Sequence, residues 1–301
     1  MTQIAFIGAV ELGVIFALLA MGIFVAYRIL NIPDLTIEGS YVIGAAVAAV
    51  FIVRGQPLLG LPFAAAAGAC AGIVTAFLQT KLKIQPILAG ILTMTALYSV
   101  NLAIMSGRAN IALLREETLF TIFARATNAP RVFLPLVITV LVGGFLMVFF
   151  HTRLGLSVRA TGDNEEMVRA SSINSTFTKS VGLAIGNAIA ALCGALVAQY
   201  QGFADINMGA GMVVVALASL IIGEAIFGRR TVIWNICAIA TGAIIYRIIL
   251  AFALSLRINQ ANLRAISAII VVAAISLPAI REQWAVFKLK RKKISKGESS
   301  C

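Results

Sequence analysis

Nine apolar runs, most of them close to 20 residues long, dominate the chain and leave little freedom in how it can fold. They fall at about 4–27, 37–53, 61–80, 84–105, 132–150, 178–199, 211–227, 232–254 and 263–280, each bounded by Gly, Pro or charge. Crossing a hydrocarbon layer about 30 Å thick takes about 20 apolar residues in a helix. Backbone groups in lipid must be satisfied within the segment, so runs of this length are helices. Barrel strands would be half as long and would alternate in polarity. The expected fold is therefore an all-α polytopic membrane protein of about nine transmembrane helices, within a range of about eight to ten. Only 12% of the 301 residues are charged, half the roughly 25% of a soluble domain. That excludes a soluble enzyme, a disordered protein and a nucleic-acid-binding domain.

The net charge of +12 is explained by placement. Seven of the 24 basic residues lie between Arg281 and Lys296, directly after the last apolar run. A basic run in that position marks a cytoplasmic tail against anionic lipid. Cys70, Cys193, Cys237 and Cys301 stand singly and form neither a metal spacing nor a disulfide framework. His151 sits where a span meets a basic loop and reads as an interfacial residue. Met1-Thr2-Gln3 lacks the positive region of a signal peptide, so the first run reads as a membrane span.

Lys and Arg in the connecting segments give the orientation. With the tail inside and nine spans, the N-terminus lies outside. Inner segments then hold sixteen basic residues: Arg28, Lys81, Lys83, Arg153, Arg159, Arg169, Lys179, Arg229, Arg230 and the seven of the tail. Outer segments hold seven: Arg54, Arg108, Arg115, Arg125, Arg131, Arg257 and Arg264. Four of these crowd the outer loop at 106–131, more than the rule expects of that side. Two readings stand for them, docking of an acidic partner or contact with anionic outer-leaflet lipid.

Two segments interrupt the pattern in a similar way. Asn31-Ile32-Pro33-Asp34-Leu35-Thr36-Ile37-Glu38-Gly39-Ser40 breaks the first hairpin, and Gly202-Phe203-Ala204-Asp205-Ile206-Asn207-Met208-Gly209-Ala210-Gly211 breaks the sixth–seventh pair. The two Asp residues are 171 positions apart, and the span before each runs in the opposite direction. That is what an inverted repeat requires, and matched interruptions in two inverted halves point to a substrate path. The plainer reading is a pair of interfacial turns. On the first reading Asp34, Thr36, Glu38, Ser40, Asp205, Asn207 and Gly211 line the path.

The longest inner connection spans 151–177. Asp163 or Asn164 can cap a short helix there, with Glu165 and Glu166 in its first turn at the positive end of the dipole. Met167, Ala170 and Ile173 recur at helical spacing and give it a small apolar face. Such a helix is a rigid knob that another protein can grip; a solvated loop is the alternative. Arg247 lies fifteen residues into its span from Val232 and calls for an acidic partner or a substrate carboxylate. Glu11 and Glu224 sit near span ends, where snorkelling accounts for them. Asn101 and Asn187 either line a path or bond between helices.

Several ordered motifs carry a resemblance. Arg159-Ala160-Thr161-Gly162-Asp163-Asn164, with Ile173 nine residues on and a Gly-rich span following, resembles the cytoplasmic coupling segment of the branched-chain amino-acid and ribose permease family. Asn31 to Ser40 resembles the start of that family's second helix, and Ile87 to Ser99 its fourth. Gly202 to Gly211, followed by Ala218 to Glu224, resembles the second-half counterpart. The resemblance runs over about residues 10–280 and is nearest to permeases of the tryptophan or tyrosine type. Ser171-Ser172-Ile173 departs from it, because the family usually places Gly before this Ile, which implies a different exit turn.

The resemblance implies a permease domain over 1–280 in a bacterial cytoplasmic membrane and a basic cytoplasmic tail over 281–301. Half repeats at about 1–131 and 178–280 would be joined by the fifth helix and the coupling segment. The chain would be the membrane subunit of a binding-protein-dependent ATP-binding-cassette importer, moving an amino acid of the aromatic type. ATPase subunits would grip Arg159, Gly162, Asp163, Asn164, Glu165, Glu166, Arg169 and Ile173. An extracytoplasmic substrate-binding protein would dock on Arg108, Arg115, Arg125 and Arg131. A second copy or a sister permease would complete the path. The chain has no Gly-x-x-x-x-Gly-Lys-Ser/Thr loop, so ATP and Mg would be bound by the partner and no cofactor by this chain. It shows no nucleophile–base pair and no metal-ligand cluster, so no catalytic or metal residue is expected. The rival readings are an ion-coupled transporter using Asp34 and Asp205, an embedded enzyme or scaffold, and a permease for branched-chain amino acids, nucleosides or sugars.

Overall fold

The computed structural model describes residues 3–127, 131–228 and 230–255, together with residues 272 and 276. The elements run in the order α1 (Gln3–Ile23), a π-helical turn (Phe24–Ile29), α2 (Thr36–Val53), α3 (Pro57–Thr80), α4 (Pro86–Ile104), β1 (Asn110–Ala112), α5 (Leu119–Thr127), α6 (Phe133–His151), α7 (Arg153–Asp163), α8 (Glu165–Ala170), α9 (Ser175–Gln201), β2 (Phe203–Asp205), α10 (Met212–Phe227) and α11 (Val232–Ser255). Seven of these helices are long and apolar enough to cross a membrane, and α10 is a shorter apolar helix. They match the first eight apolar runs. The ninth run, apart from residues 272 and 276, lies outside the described residues, so a count of nine is not established. Arg229, Arg257, Arg264 and the basic tail also lie outside them. The chain is a multi-pass, all-helical membrane protein.

Proline at the first helical position opens α3 and α4, where its missing N–H costs nothing. Gly202, at φ +76°, ends α9 in the left-handed conformation. The helices then pack in one pattern used twice. In the first half α2 and α3 pair with each other and lie on α9; in the second α10 and α11 pair and lie on α1. Each half's leading helix is thus the centre onto which the other half packs. α1 and α9 also touch each other, and both are largely buried. In lipid no hydrophobic force drives such helices together, so close approach of small residues does it. A Cβ at Gly44 or Gly194 would overlap the carbonyl oxygens of Ala191 and Tyr41, which shows how tightly α2 and α9 are pressed.

The two ends of the bundle differ. At one end the π-helical turn meets α7, with Gly162 against the carbonyl of Ile29. At the other, β1 and β2 pair antiparallel, with Asn110 opposite Asp205. α1 runs toward the first end and α9 toward the second, so the two halves are inverted.

Candidate functional site

The break between the π-helical turn and α2 lies inside the helical layer. Thr36 meets Thr75 on α3, hydroxyl to hydroxyl at 2.7 Å, five residues before α3 ends. Ser40 donates to Asn187 Oδ1 at 2.6 Å, twelve residues into α9. Asp34 caps α2: its Oδ1 accepts the Thr36 N–H at 2.9 Å, and its Oδ2 accepts from Asn187 Nδ2 at 2.7 Å. The second Asn187 N–H goes to the Leu183 carbonyl. Asn187 thus ties the broken chain to the central helix of the other half. Asp34, Thr36 and Ser40 are all buried.

The second interruption has the same local chemistry in a different place. Asp205 Oδ1 accepts the Asn207 N–H at 2.8 Å, the counterpart of the Asp34–Thr36 bond. Yet Asp205 is only partly buried and sits on β2, where Asn110 Nδ2 donates to its Oδ2 at 3.2 Å. From there residues 206–211 turn inward, and α10 starts beside α2. Glu38 joins the two interruptions: its Oε1 accepts the N–H of Gly211 at 3.0 Å and that of Val213 at 3.4 Å, capping α10 from the first turn of α2. Gly211 needs its left-handed φ of +82° for this turn. Gly209 has no room for a Cβ against the Glu38 carbonyl. The structure therefore gathers Glu38 and Asn207 at a cavity on the strand side of the break, with Gly211 bonded to Glu38, and Asp34, Thr36 and Ser40 in a buried network, while Asp205 joins the loops at the strand end.

At the opposite end of the bundle three Asx or Thr caps shape the 151–177 segment. Thr152 accepts from Gly155 N, Asn164 from Met167 N and Asn174 from Phe177 N. Between Asp163 and Asn164, it is Asn164 that caps α8. Glu165 bonds Arg169 Nη2 at 2.6 Å and Lys179 Nζ at 2.5 Å, and Arg169 Nε donates to Ser175. Partial burial alone would raise the Glu165 pKa, but the Lys179 and Arg169 charges outweigh it and hold the carboxyl below the ordinary carboxylate range. Val168 anchors α8 inward, whereas Met167, Ala170 and Ile173 are exposed as an apolar patch, with Glu166 exposed beside them. Ser172 adopts φ +61° and the Ile173 N–H reaches the Val168 carbonyl. The exit turn thus holds Ser in a left-handed conformation that Gly adopts more readily. α7 in turn packs on the chain just before the first break, where a Cβ on Gly162 would overlap the Ile29 carbonyl. Arg28, Arg159 and Arg230, with Asp163, border a cavity of about 480 Å³ at that junction.

Sequence comparison places this architecture. The family model described as "Branched-chain amino acid transport system / permease component" matches residues 6–275. The chain belongs to that family. It is 38% identical over 260 residues to the "Tyrosine transport system permease protein" of Clostridioides difficile (strain R20291), covering 86% of each chain. An uncharacterized protein of Rickettsia prowazekii (strain Madrid E) is 37% identical over 278 residues, 90% of this chain and 96% of its own. The "Ribose import permease protein RbsC" of Escherichia coli (strain K12) is 27% identical over 183 residues, 60% of this chain and 56% of its own. No solved structure matches the chain.

In this permease the loop at 106–131 is fastened to the second interruption by β1 and β2, so the two segments form one surface. Arg108, Arg115, Arg125 and Arg131 are exposed on it, and Arg125 pairs with Glu117 at 2.8 Å. Three charges inside the helices found partners that sequence alone did not reveal. Glu11 accepts from the Tyr200 hydroxyl at 2.7 Å, and Glu224 pairs with Arg28 at 3.0 Å, so neither is simply snorkelling. Arg247 has no acidic partner among the described residues; its guanidinium stacks on Phe16, 3.6 Å from the ring centre. The π-helical turn, which bonds Ile32 N to Ala26 O and delivers the chain to the break, had no sequence signal either. Such turns concentrate at functional sites.

Proposed function

We propose that this chain is the membrane-spanning subunit of an ATP-driven, binding-protein-dependent importer of an amino acid, of the aromatic type. One contact carries the reading: α7 of the cytoplasmic segment rests through Gly162 on Ile29, immediately before the broken stretch that Asp34 and Asn187 hold. A pull on α7 and α8 reaches the break without passing through a flexible link. The apolar patch of Met167, Ala170 and Ile173, flanked by Glu166, is the surface an ATPase would grip. ATP and Mg would bind in that partner, with none in this chain. A second copy or a sister permease would face α4 and α6, which are mostly uncovered by the rest of this chain, and the outer arginines would receive an acidic binding protein. Alternating access is then rigid-body movement of the two interlocked halves about the breaks. The aromatic substrate class is supported by the similarity to a tyrosine transport permease over most of both chains.

The rival ion-coupled mechanism needs free carboxylates. Both oxygens of Asp34 are already bonded, and Asp205 sits at the outer strand pair. The test is affinity purification from membranes of the native bacterium under mild detergent. Copurification of an ATP-binding-cassette ATPase, and of an extracytoplasmic protein carrying tyrosine, tryptophan or phenylalanine, is expected. Recovery without an ATPase, or a binding protein loaded with a sugar or nucleoside, contradicts the proposal.

A further inference from the structure

The outer cavity between α2, α4 and residues 206–210 has a volume of about 290 Å³, near the lower end of small-ligand sites at roughly 300 Å³. Two of the oxygens at this cavity, among the described residues, have no hydrogen-bond partner. Glu38 borders it: Oε1 is taken by Gly211 and Val213, but Oε2 has no hydrogen-bond partner among the described residues. Asn101 borders it as well, 1% exposed, and its Oδ1 also lacks a partner, while its Nδ2 reaches the Gly39 carbonyl only at 3.5 Å. No Lys, Arg or His lines the cavity. The N-terminus of α10 offsets only about half of the Glu38 charge, so the site keeps a negative balance. Broken helices that present bare N-termini suit a substrate carboxylate. Here both N-termini are already occupied by acidic caps, Asp34 on α2 and Glu38 on α10, which reverses that preference. Tyr98 supplies an aromatic wall beside the two acceptors.

We propose that Glu38 Oε2 and Asn101 Oδ1 form a subsite for the ammonium group of the passing amino acid, with Tyr98 beside its side chain. This rests on the importer reading above and adds to it the atom group that the permease itself recognises. Asp34, the more obvious carboxylate in sequence, is excluded from this role because its oxygens are spent on α2 and Asn187.

The test uses the full chain in lipid nanodiscs, without ATPase or binding protein. Cys70, Cys193, Cys237 and Cys301 are replaced by Ala, and Thr95→Cys places a thiol at an exposed position on the cavity wall. Rates of modification by a cationic and an anionic methanethiosulfonate are compared. The cationic reagent is expected to react about tenfold faster or more, from the charge of Glu38 on the same cavity. Tyramine should protect the thiol, and 4-hydroxyphenylpropionate, which lacks the ammonium, should not. Glu38→Gln keeps the acceptor for Gly211 and Val213, so α10 stays capped while the charge goes. It should remove both the cation preference and the protection, and Asn101→Leu should weaken protection without changing the preference. An unchanged cation preference in Glu38→Gln, or equal protection by the two compounds, overturns the subsite. Failure of the importer reading would appear elsewhere, as absence of ATP-dependent uptake by the assembled complex.

Discussion

Replacing Asn187 by Ala removes the side chain that hydrogen-bonds the first break to the central helix of the other half. The loss is the bond to Asp34 Oδ2 at 2.7 Å and the bond from Ser40 at 2.6 Å. A hydrogen bond to a charged group is worth about 1.5–3 kcal/mol and a neutral one about 0.5–1.5, together about 2–4.5 kcal/mol. In membranes the unfolded chain also finds partners, and measured interhelical bonds average about 0.6 and peak near 1.7 kcal/mol. The second effect wins here, because α9 stays inserted on unfolding, and the expected cost is about 1–3 kcal/mol. SDS-driven unfolding in mixed micelles, followed by circular dichroism, measures it. Thr95→Ala is the control, since the Thr95 hydroxyl bonds only its own helix at Ile91 and is exposed. The double-mutant cycle of Asn187→Ala with Ser40→Ala should show coupling of about 0.5–1.5 kcal/mol. Asn187→Ala no worse than the control, together with zero coupling, would refute the account of how the break is held.

Three further outcomes follow from the inner segment. Gly162→Ala forces α7 away from Ile29, at an overpacking cost of about 1–3 kcal/mol; the protein should still insert, but transport and substrate-stimulated ATP hydrolysis in the assembled complex should fall together. Ser172→Gly relieves a left-handed residue and should stabilise the chain by about 0.5–1 kcal/mol, read by the same SDS titration. The folded-state pKa of Glu165 lies below its ordinary value of 4.5, so its ion pairs contribute fully above that value and are lost as pH falls through and below it. Stability between about pH 5 and pH 3 should therefore drop less steeply in Glu165→Gln than in the unmodified chain, as checked by thermal unfolding at each pH.

The helices were legible because lipid leaves a chain few options. Each of the first eight apolar runs became one helix, and its ends moved by only a few residues, as where α3 begins at Pro57 rather than at 61. Asn164 was legible as a cap for the same kind of reason, since the bond to Met167 is three residues long. The candidate site was only half legible. Asp34 and Asp205 do share an i to i+2 bond, as their matching sequence context suggested, but depth is set by packing between distant segments. Nothing local to Asp34 announces Asn187, 153 residues away, and nothing local to Glu38 announces Gly211. Arg247 was read as calling for an acidic partner or a substrate carboxylate, because charge in lipid is costly; among the described residues its guanidinium instead stacks on a ring of another helix. At Ser172 the backbone is left-handed at a non-Gly residue, a strain that the residue type alone does not announce.

Uptake by proteoliposomes tests the central claim most directly. The permease is reconstituted with its copurified ATPase, with ATP inside, the binding protein outside and labelled tyrosine or tryptophan added there. The account predicts accumulation that requires ATP and the binding protein together and is unaffected by dissipating proton and sodium gradients. Accumulation by the permease alone, driven by an ion gradient and independent of ATP, would contradict it.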